Sequence, residues 1–251
     1  MKAILRWLLL VIVAAAALEF FFIARIALTA TMDPQSTTFQ RSEAFRIARE
    51  KGQLRWGQQW VPYERISDNL KRAVIASEDD SFTSHEGVDW EALEKAWQRN
   101  AKAEEAAAQR MARAGNRPQA VARAAARPPK IVGGSTITQQ LAKNVLLSGE
   151  RTLLRKGQEI VLTFALEKML SKERILEIYL NSVEWGEGVF GAEAAARHYF
   201  RKSASQLSAY EAARLAVMLP RPKYFEKLPH SGYLASRAST ITARMRDAEL
   251  P

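Results

Sequence analysis

The chain of 251 residues contains no cysteine and only three histidines. The first absence excludes a disulfide framework, a Cys-ligated zinc site, thiol catalysis and iron–sulfur clusters. It leaves the compartment open, because a domain of this size folds in an oxidising space without disulfides. The histidines include no pair with metal-ligand spacing around His85. Convincing alternating strands and internal repeats are scarce, which favours an all-α or mainly α domain. Acidic residues are in deficit, 27 against 37 Lys and Arg, for a formal charge of +10. That balance points to an anionic partner: nucleic acid, anionic lipid or a phosphorylated substrate. Disorder is excluded by an apolar share of 47%, and the length suits one large domain or two small ones.

The one long hydrophobic run is N-terminal. Lys2 and Arg6 precede an apolar stretch, Trp7–Ala24, broken only by Glu19, and Ile26, Ala27 and Leu28 extend it past Arg25. About 20 apolar residues cross a bilayer as a helix, and the basic flank keeps the preceding residues cytoplasmic. A cleaved signal peptide is the competing reading, with the run Ala14–Ala17 offering small residues to a peptidase. The apolar residues 18–23 continue past any such site and favour an anchor over 7–28, behind a cytoplasmic segment 1–6. Glu19 is costly at that depth and is expected to face a partner helix, while Arg25 snorkels.

Residues 29–59 are mixed in character and suit a connector. Ile66, Leu70, Ala73 and Val74 then mark an amphipathic helix ending near Ser77. Asp89 is a plausible N-cap, with Trp90, Leu93 and Trp97 expected on the buried face of the helix that follows. The stretch Ala101–Arg127 holds 12 Ala, five Arg and one Lys. Gly115, Asn116 and Pro118 interrupt it, predicting two short helices or a mobile basic loop. Thr136–Gln139 and Ser208–Glu211 are capping boxes that open further helices. Residues 160–170 are apolar on nearly every face, predicting a central buried helix, and 175–180 form another.

Three segments carry chemistry. In Glu78-Asp79-x-x-Phe82-x-x-His85-x-Gly87, a carboxylate at a helix C-terminus meets the negative end of the dipole and becomes a better proton acceptor. A polar helix end followed by a turn accounts for the same residues. In Gly133–Asn144, glycines feed a helix N-terminus, a natural seat for an anion. No Gly-Lys-Ser/Thr closes it, so it is not a P-loop, and an ordinary capped helix remains open. In Arg151–Glu159, Arg155 and Lys156 share a helical face with Glu159 and suit a diphosphate. A solvated salt-bridge face is the alternative.

Taken together, Glu78-Asp79 through Gly87, Gly134-Ser135-Thr136-Ile137-Thr138-Gln139-Gln140-x-x-Lys143-Asn144, Arg155-Lys156-x-x-Glu159, and Lys172-x-x-Ile175-Leu176-x-x-Tyr179-Leu180-Asn181 resemble the peptidoglycan glycosyltransferases, in that family's motif order, over about Trp60–Tyr224. The resemblance implies a lysozyme-like, mainly α fold over 60–251, with a small membrane-facing subdomain and no room for a transpeptidase domain. It also implies polymerisation of lipid II: the acceptor's 4-hydroxyl attacks the anomeric carbon of a donor carried on undecaprenyl diphosphate, inverting it in one displacement. By that similarity Glu78 is the general base and Glu159 the second catalytic carboxylate, organising Lys143, Arg151, Arg155 and Lys156. Asp79, Ser135, Thr136, Gln139, Gln140 and Asn181 match positions that line or shape the cleft, whereas Phe82, Gly87 and Tyr179 match packing positions.

The chemistry agrees with the resemblance. A glycosidase must protonate a poor leaving group, whereas a diphosphate leaves as a stabilised anion and needs positive charge instead. No cofactor is obligatory, and Mg²⁺ or another divalent cation is a candidate at the diphosphate. The expected setting is a bacterial inner membrane with the catalytic domain in the periplasm, the expected partners its lipids, lipid-linked glycan, and penicillin-binding and division proteins. Nucleic acid is not expected, since aromatic and basic residues do not interleave. A lytic transglycosylase and a membrane-tethered scaffold remain as rivals. The stretch 101–130 is an Ala/Arg-rich insertion relative to the family pattern. Residues 91–130 hold nine Lys and Arg against four Glu, suited to anionic headgroups.

Overall fold

A computed structural model describes residues 2–54, 56–115, 117–129, 131–147 and 152–251. Arg151, a predicted diphosphate ligand, and Lys130, the end of the basic stretch, lie outside the described residues. The chain divides into two compact units, residues 1–87 with 137–251, and residues 88–136.

The larger unit opens with α1 (Lys2–Thr29), exposed along most of its length. It is long and apolar enough to cross a membrane. Only Phe22 and Ile26 are buried on it, and α1 packs against α7 (Leu153–Met169). The stretch 29–59, read as a connector, contains a helix, α2 (Thr38–Lys51). The Thr37 hydroxyl and Gln40 amide close a capping box at its start, and Gly52 ends it in the left-handed region. Its polar composition hid a fit that packing supplies: Gln40 is buried and donates to the carbonyl of Ser182 at 3.2 Å.

Ser67 caps α3 (Asp68–Glu78), whose Leu70, Ala73 and Val74 form one buried stripe. α6 (Ile137–Leu146) packs on α7, on α2 and on α8 (Lys172–Ser182). α9 (Ala192–Phe200) precedes α10 (Ala209–Met218), which packs on α3 and on α12 (Gly232–Arg244) and is joined to it through the short α11 (Pro222–Phe225). The Ser208–Glu211 capping box is present as read. Strands are few: β1 (Gly57–Gln58) pairs parallel to β3 (Val189–Phe190), and β2 (Glu184–Gly186) pairs antiparallel to β3 with a bulge. The fold is mainly α, as expected.

The prediction of a wholly buried helix over 160–170 needs correction. Leu162 and Leu166 are buried on α7, but Val161 and Phe164 are exposed. A helix apolar all round has an inner face that packs and an outer face that needs another environment.

The smaller unit consists of α4 (Trp90–Ala114) and α5 (Pro118–Ala125) with the segment up to Thr136. Asp89 caps α4 through the N–H of Ala92. The break before Pro118 stands where Gly115 and proline predicted it, but the first helix is a continuous 25 residues. A second correction concerns Trp90, Leu93 and Trp97. They are 62%, 40% and 76% exposed, because α4 turns this stripe outward, and Leu93 and Trp97 line a groove of about 430 Å³ together with Val132 and Gly134. Asn100 holds that edge by exchanging two hydrogen bonds with the backbone of Val132, at 2.8 and 3.0 Å.

Candidate active site

Glu78 is the last residue of α3, half-buried, with Asp79 as the C-cap. Burial pushes its carboxyl above the usual carboxylate range, and the neighbouring Asp79 charge adds to this. Hydrogen bonds from Gln140, at 3.1 Å, and from Ser77 pull in the opposite direction. Gln140 is itself oriented, because Tyr179 donates its hydroxyl proton to Gln140 Oε1 at 2.9 Å. Tyr179 is fully buried, and burial first, then the charges of Glu78 and Asp79, drives its hydroxyl well above its ordinary value. It therefore stays a donor, leaving the Gln140 amide N–H free to meet Glu78. Tyr179 was read as packing, and the sequence carries no sign of this relay beyond the match itself.

Asp79 does different work. Its buried carboxylate accepts the backbone N–H of Ile137 at 2.9 Å, at the start of α6, and holds His85 at 2.8 Å. This closes a helix N-terminus with a side chain distant in sequence. The loop after α3 is pinned from below as well. Lys172 donates to the carbonyl of His85 and to Glu167, at 2.6 and 2.9 Å, and lies 4.6 Å from the centre of the Phe82 ring. Thr138 donates to the same Glu167 oxygen at 2.5 Å. Phe82 is fully buried. Gly87, at φ +89°, lies so close to α7 that a Cβ there would stand 2.7 Å from Thr163 Cγ2 and 2.8 Å from Glu167 Cγ. Glu167 escaped the sequence reading. Its one signal is its spacing of eight from Glu159, which repeats one helical face.

Glu159 lies on that face one turn before Thr163, whose hydroxyl donates to the Glu159 carbonyl at 2.7 Å. Although buried, it accepts from Arg155 at 2.7 Å and from Lys156 at 2.5 Å. The predicted cluster thus forms within one helix, one carboxylate between two cations. Its net charge is positive, and the Lys156 side chain remains 41% exposed. Among the described residues no group of three or more His, Asp or Glu is placed to hold a metal ion.

The other predicted residues divide. On α6, Gln139 is buried and Lys143 exposed. Ser135 is exposed and Thr136 buried, both in the smaller unit. Asn181 is wholly buried, and its amide is committed: Oδ1 accepts from Val61 N–H at 2.9 Å, and Nδ2 donates to the carbonyls of Val61 and Glu177, both at 2.9 Å. This is the geometry of a scaffold residue.

The profile of the transglycosylase family matches residues 47–109 and 111–246. Among curated relatives, the biosynthetic peptidoglycan transglycosylase of Herminiimonas arsenicoxydans is 47% identical over 252 residues, covering 100% of this chain and 99% of that one. That of Bordetella pertussis is 52% identical over 219 residues, covering 87% and 82%, and that of Burkholderia thailandensis 49% over 235 residues, covering 94% and 82%.

Proposed function

The chain belongs to the transglycosylase family, and on that premise we propose that Glu78 is the base with which it polymerises the glycan strands of peptidoglycan. As a peptidoglycan glycosyltransferase it joins a lipid-linked donor to a sugar hydroxyl. In this reading the substrate is lipid II and the acceptor nucleophile is a 4-hydroxyl. Glu78 takes the hydroxyl proton as the oxygen attacks the anomeric carbon, and the bond from that carbon to the diphosphate breaks with inversion. The observation that supports it is the oriented, half-buried Glu78 carboxylate, raised by burial toward the operating pH of a general base.

Departure of the diphosphate needs cations. Arg155 and Lys156 supply them, held in place by Glu159, with Lys143 on the neighbouring helix and Arg151 completing the set. Asp79 and Asn181 build the site rather than touch substrate, and Gln140 tunes the base. Ser135, Thr136 and Gln139 are assigned to the substrate on motif position. A divalent cation, where one assists, would take most of its ligands from the phosphates.

In this reading α1 is a single-pass anchor over residues 7–28 in a bacterial inner membrane, with segment 1–6 cytoplasmic, 29–59 linking it to the catalytic domain 60–251, and that domain in the periplasm. The basic insertion 101–130 rests on anionic headgroups. Membrane lipids and lipid-linked glycan are its partners, and penicillin-binding and division proteins fit the same location. The test is purified full-length protein on lipid II. Wild type should make polymer and Glu78→Gln none; polymer from both would sink the assignment of the base.

A further inference from the structure

The buried stripe of α12 does not stop where the helix does. Leu234, Ala238 and Ile241 are buried on it, and Met245 and Ala248 continue the same spacing past the last helical residue, Arg244. Leu250 packs against the same core. The family profile ends at residue 246, yet Ala248 beyond it is only 2% exposed. Residues 245–251 thus form a strap, seated on the larger unit by apolar side chains.

The strap meets α3 and its loop on both sides of Glu78. Ahead of Glu78 in the chain, Arg72 of α3 donates to the carbonyl of Ala248. After it, Asp80 accepts from Arg244 at 3.0 Å, and the Thr83 hydroxyl reaches Glu249 at 3.5 Å. α12 itself packs along α3. Lys172 holds the loop at Phe82 and His85, and the strap secures it at Asp80 and Thr83. The carboxylate of Glu78 is turned elsewhere. At about 100° per residue, Glu78 projects from a different side of α3 than Arg72, toward Gln140 of α6.

We propose that residues 244–251 position the catalytic base, Arg244 and Glu249 holding the loop that leaves Glu78 and Ala248 holding α3 ahead of it. This rests on Glu78 being the base, as read above. Arg244 and Asp80 are positioning residues, because they act on the reaction only through α3 and its loop. Their side chains are 44% and 66% exposed, and so open an ion pair contributes little to stability. Breaking it therefore tests placement rather than folding.

Full-length Arg244→Glu, Asp80→Arg and the double exchange are compared with wild type and Glu78→Gln on lipid II, with melting temperatures measured alongside. Each single reversal is expected to lower kcat several-fold with KM and melting temperature unchanged, and the exchange to restore most of it. The acid limb of the rate–pH profile is a readout that a merely structural role does not move. Asp79, Tyr179 of α8 and Gln140 of α6 face Glu78 and are intact in every reversal. Burial raises Glu78, so a loop that yields and admits water lets its pKa fall and moves the limb to lower pH. Charge alone would move the limb up in Arg244→Glu and down in Asp80→Arg. A downward shift in both, reversed in the exchange, is the expected result. With Glu78→Gln inactive, wild-type kcat in both single reversals overturns the strap alone. Lowered kcat with an unmoved limb, opposite shifts in the two reversals, or no recovery in the exchange overturns it as well. Polymer from Glu78→Gln overturns the base and the strap together. If a reversal fails to fold, Arg244→Gln carries the same expectation in milder form.

Discussion

Gln140 stands between Tyr179 and Glu78, accepting from the one at 2.9 Å and donating to the other at 3.1 Å. Because the ionised Glu78 carboxylate can only accept, the amide has a single useful orientation, with its N–H toward the carboxylate and its oxygen toward the Tyr179 hydroxyl. That bond favours the ionised form of Glu78 and restrains the rise that burial imposes. Gln140→Ala removes the restraint, so the Glu78 pKa climbs further. The acid limb of the polymerisation rate should move to higher pH, by about one to two units for a charge-assisted bond of about 1.5–3 kcal/mol. Tyr179→Phe should move it the same way by less. Rate–pH profiles on lipid II check both, and an unmoved limb in Gln140→Ala would separate Gln140 from the base.

Gly87→Ala should be among the most damaging small substitutions. It forces an L side chain to φ +89° and drives a methyl into Thr163 and Glu167. Backbone strain and overpacking each cost on the order of 1–3 kcal/mol. A lower melting temperature in detergent is expected, with polymerisation falling in parallel because Gly87 ends the loop that leaves Glu78.

Asn181→Leu leaves the N–H and carbonyl of Val61 without their partner in a buried site, at about 1–3 kcal/mol per unsatisfied group. The expected result is a clear loss of thermal stability. Unchanged stability with a raised KM for lipid II would instead make Asn181 a substrate ligand.

Glu184, buried on β2, is pushed up to about 7, chiefly by burial and then by the Glu43 charge, against the attraction of Lys223 and a Gly188 backbone bond. A carboxyl raised in the folded state binds protons more tightly there than in the unfolded chain. Its contribution is therefore favourable below the unfolded value, near 4.5, and is lost as pH rises through about 7. Glu184→Gln should match wild type in melting temperature near pH 5 and exceed it by a few degrees near pH 8, about 2–4 °C per kcal/mol for a chain of this size. Equal melting curves at both pH values would refute the assignment.

Glu159→Gln should leave Arg155 and Lys156 charged but without the carboxylate that fixes them. Since both cations reach solvent in part, stability should change little while kcat falls by about tenfold or more, the loss expected from misplaced transition-state contacts. A fold as intact as wild type with unchanged kcat would assign the trio to the surface.

The sequence by itself determined what depends on local order. Helical periodicity and caps at Asp89 and Ser208 set elements where the chain has no alternative use for those residues. The apolar run of α1 and the i, i+3, i+4 grouping of Arg155, Lys156 and Glu159 could be read from spacing alone, because one helix contains each. The tertiary structure decided everything that needs partners distant in the chain. Asp79 became the seat of an N–H 58 residues away, and Gln140 joined Tyr179 to Glu78 across separations of 39 and 62. α2 lacked an apolar signature yet docked through buried Gln40. Trp90 and Trp97 read as core and emerged exposed, and so did one side of α7, because apolar periodicity reports that a face avoids water without naming what covers it.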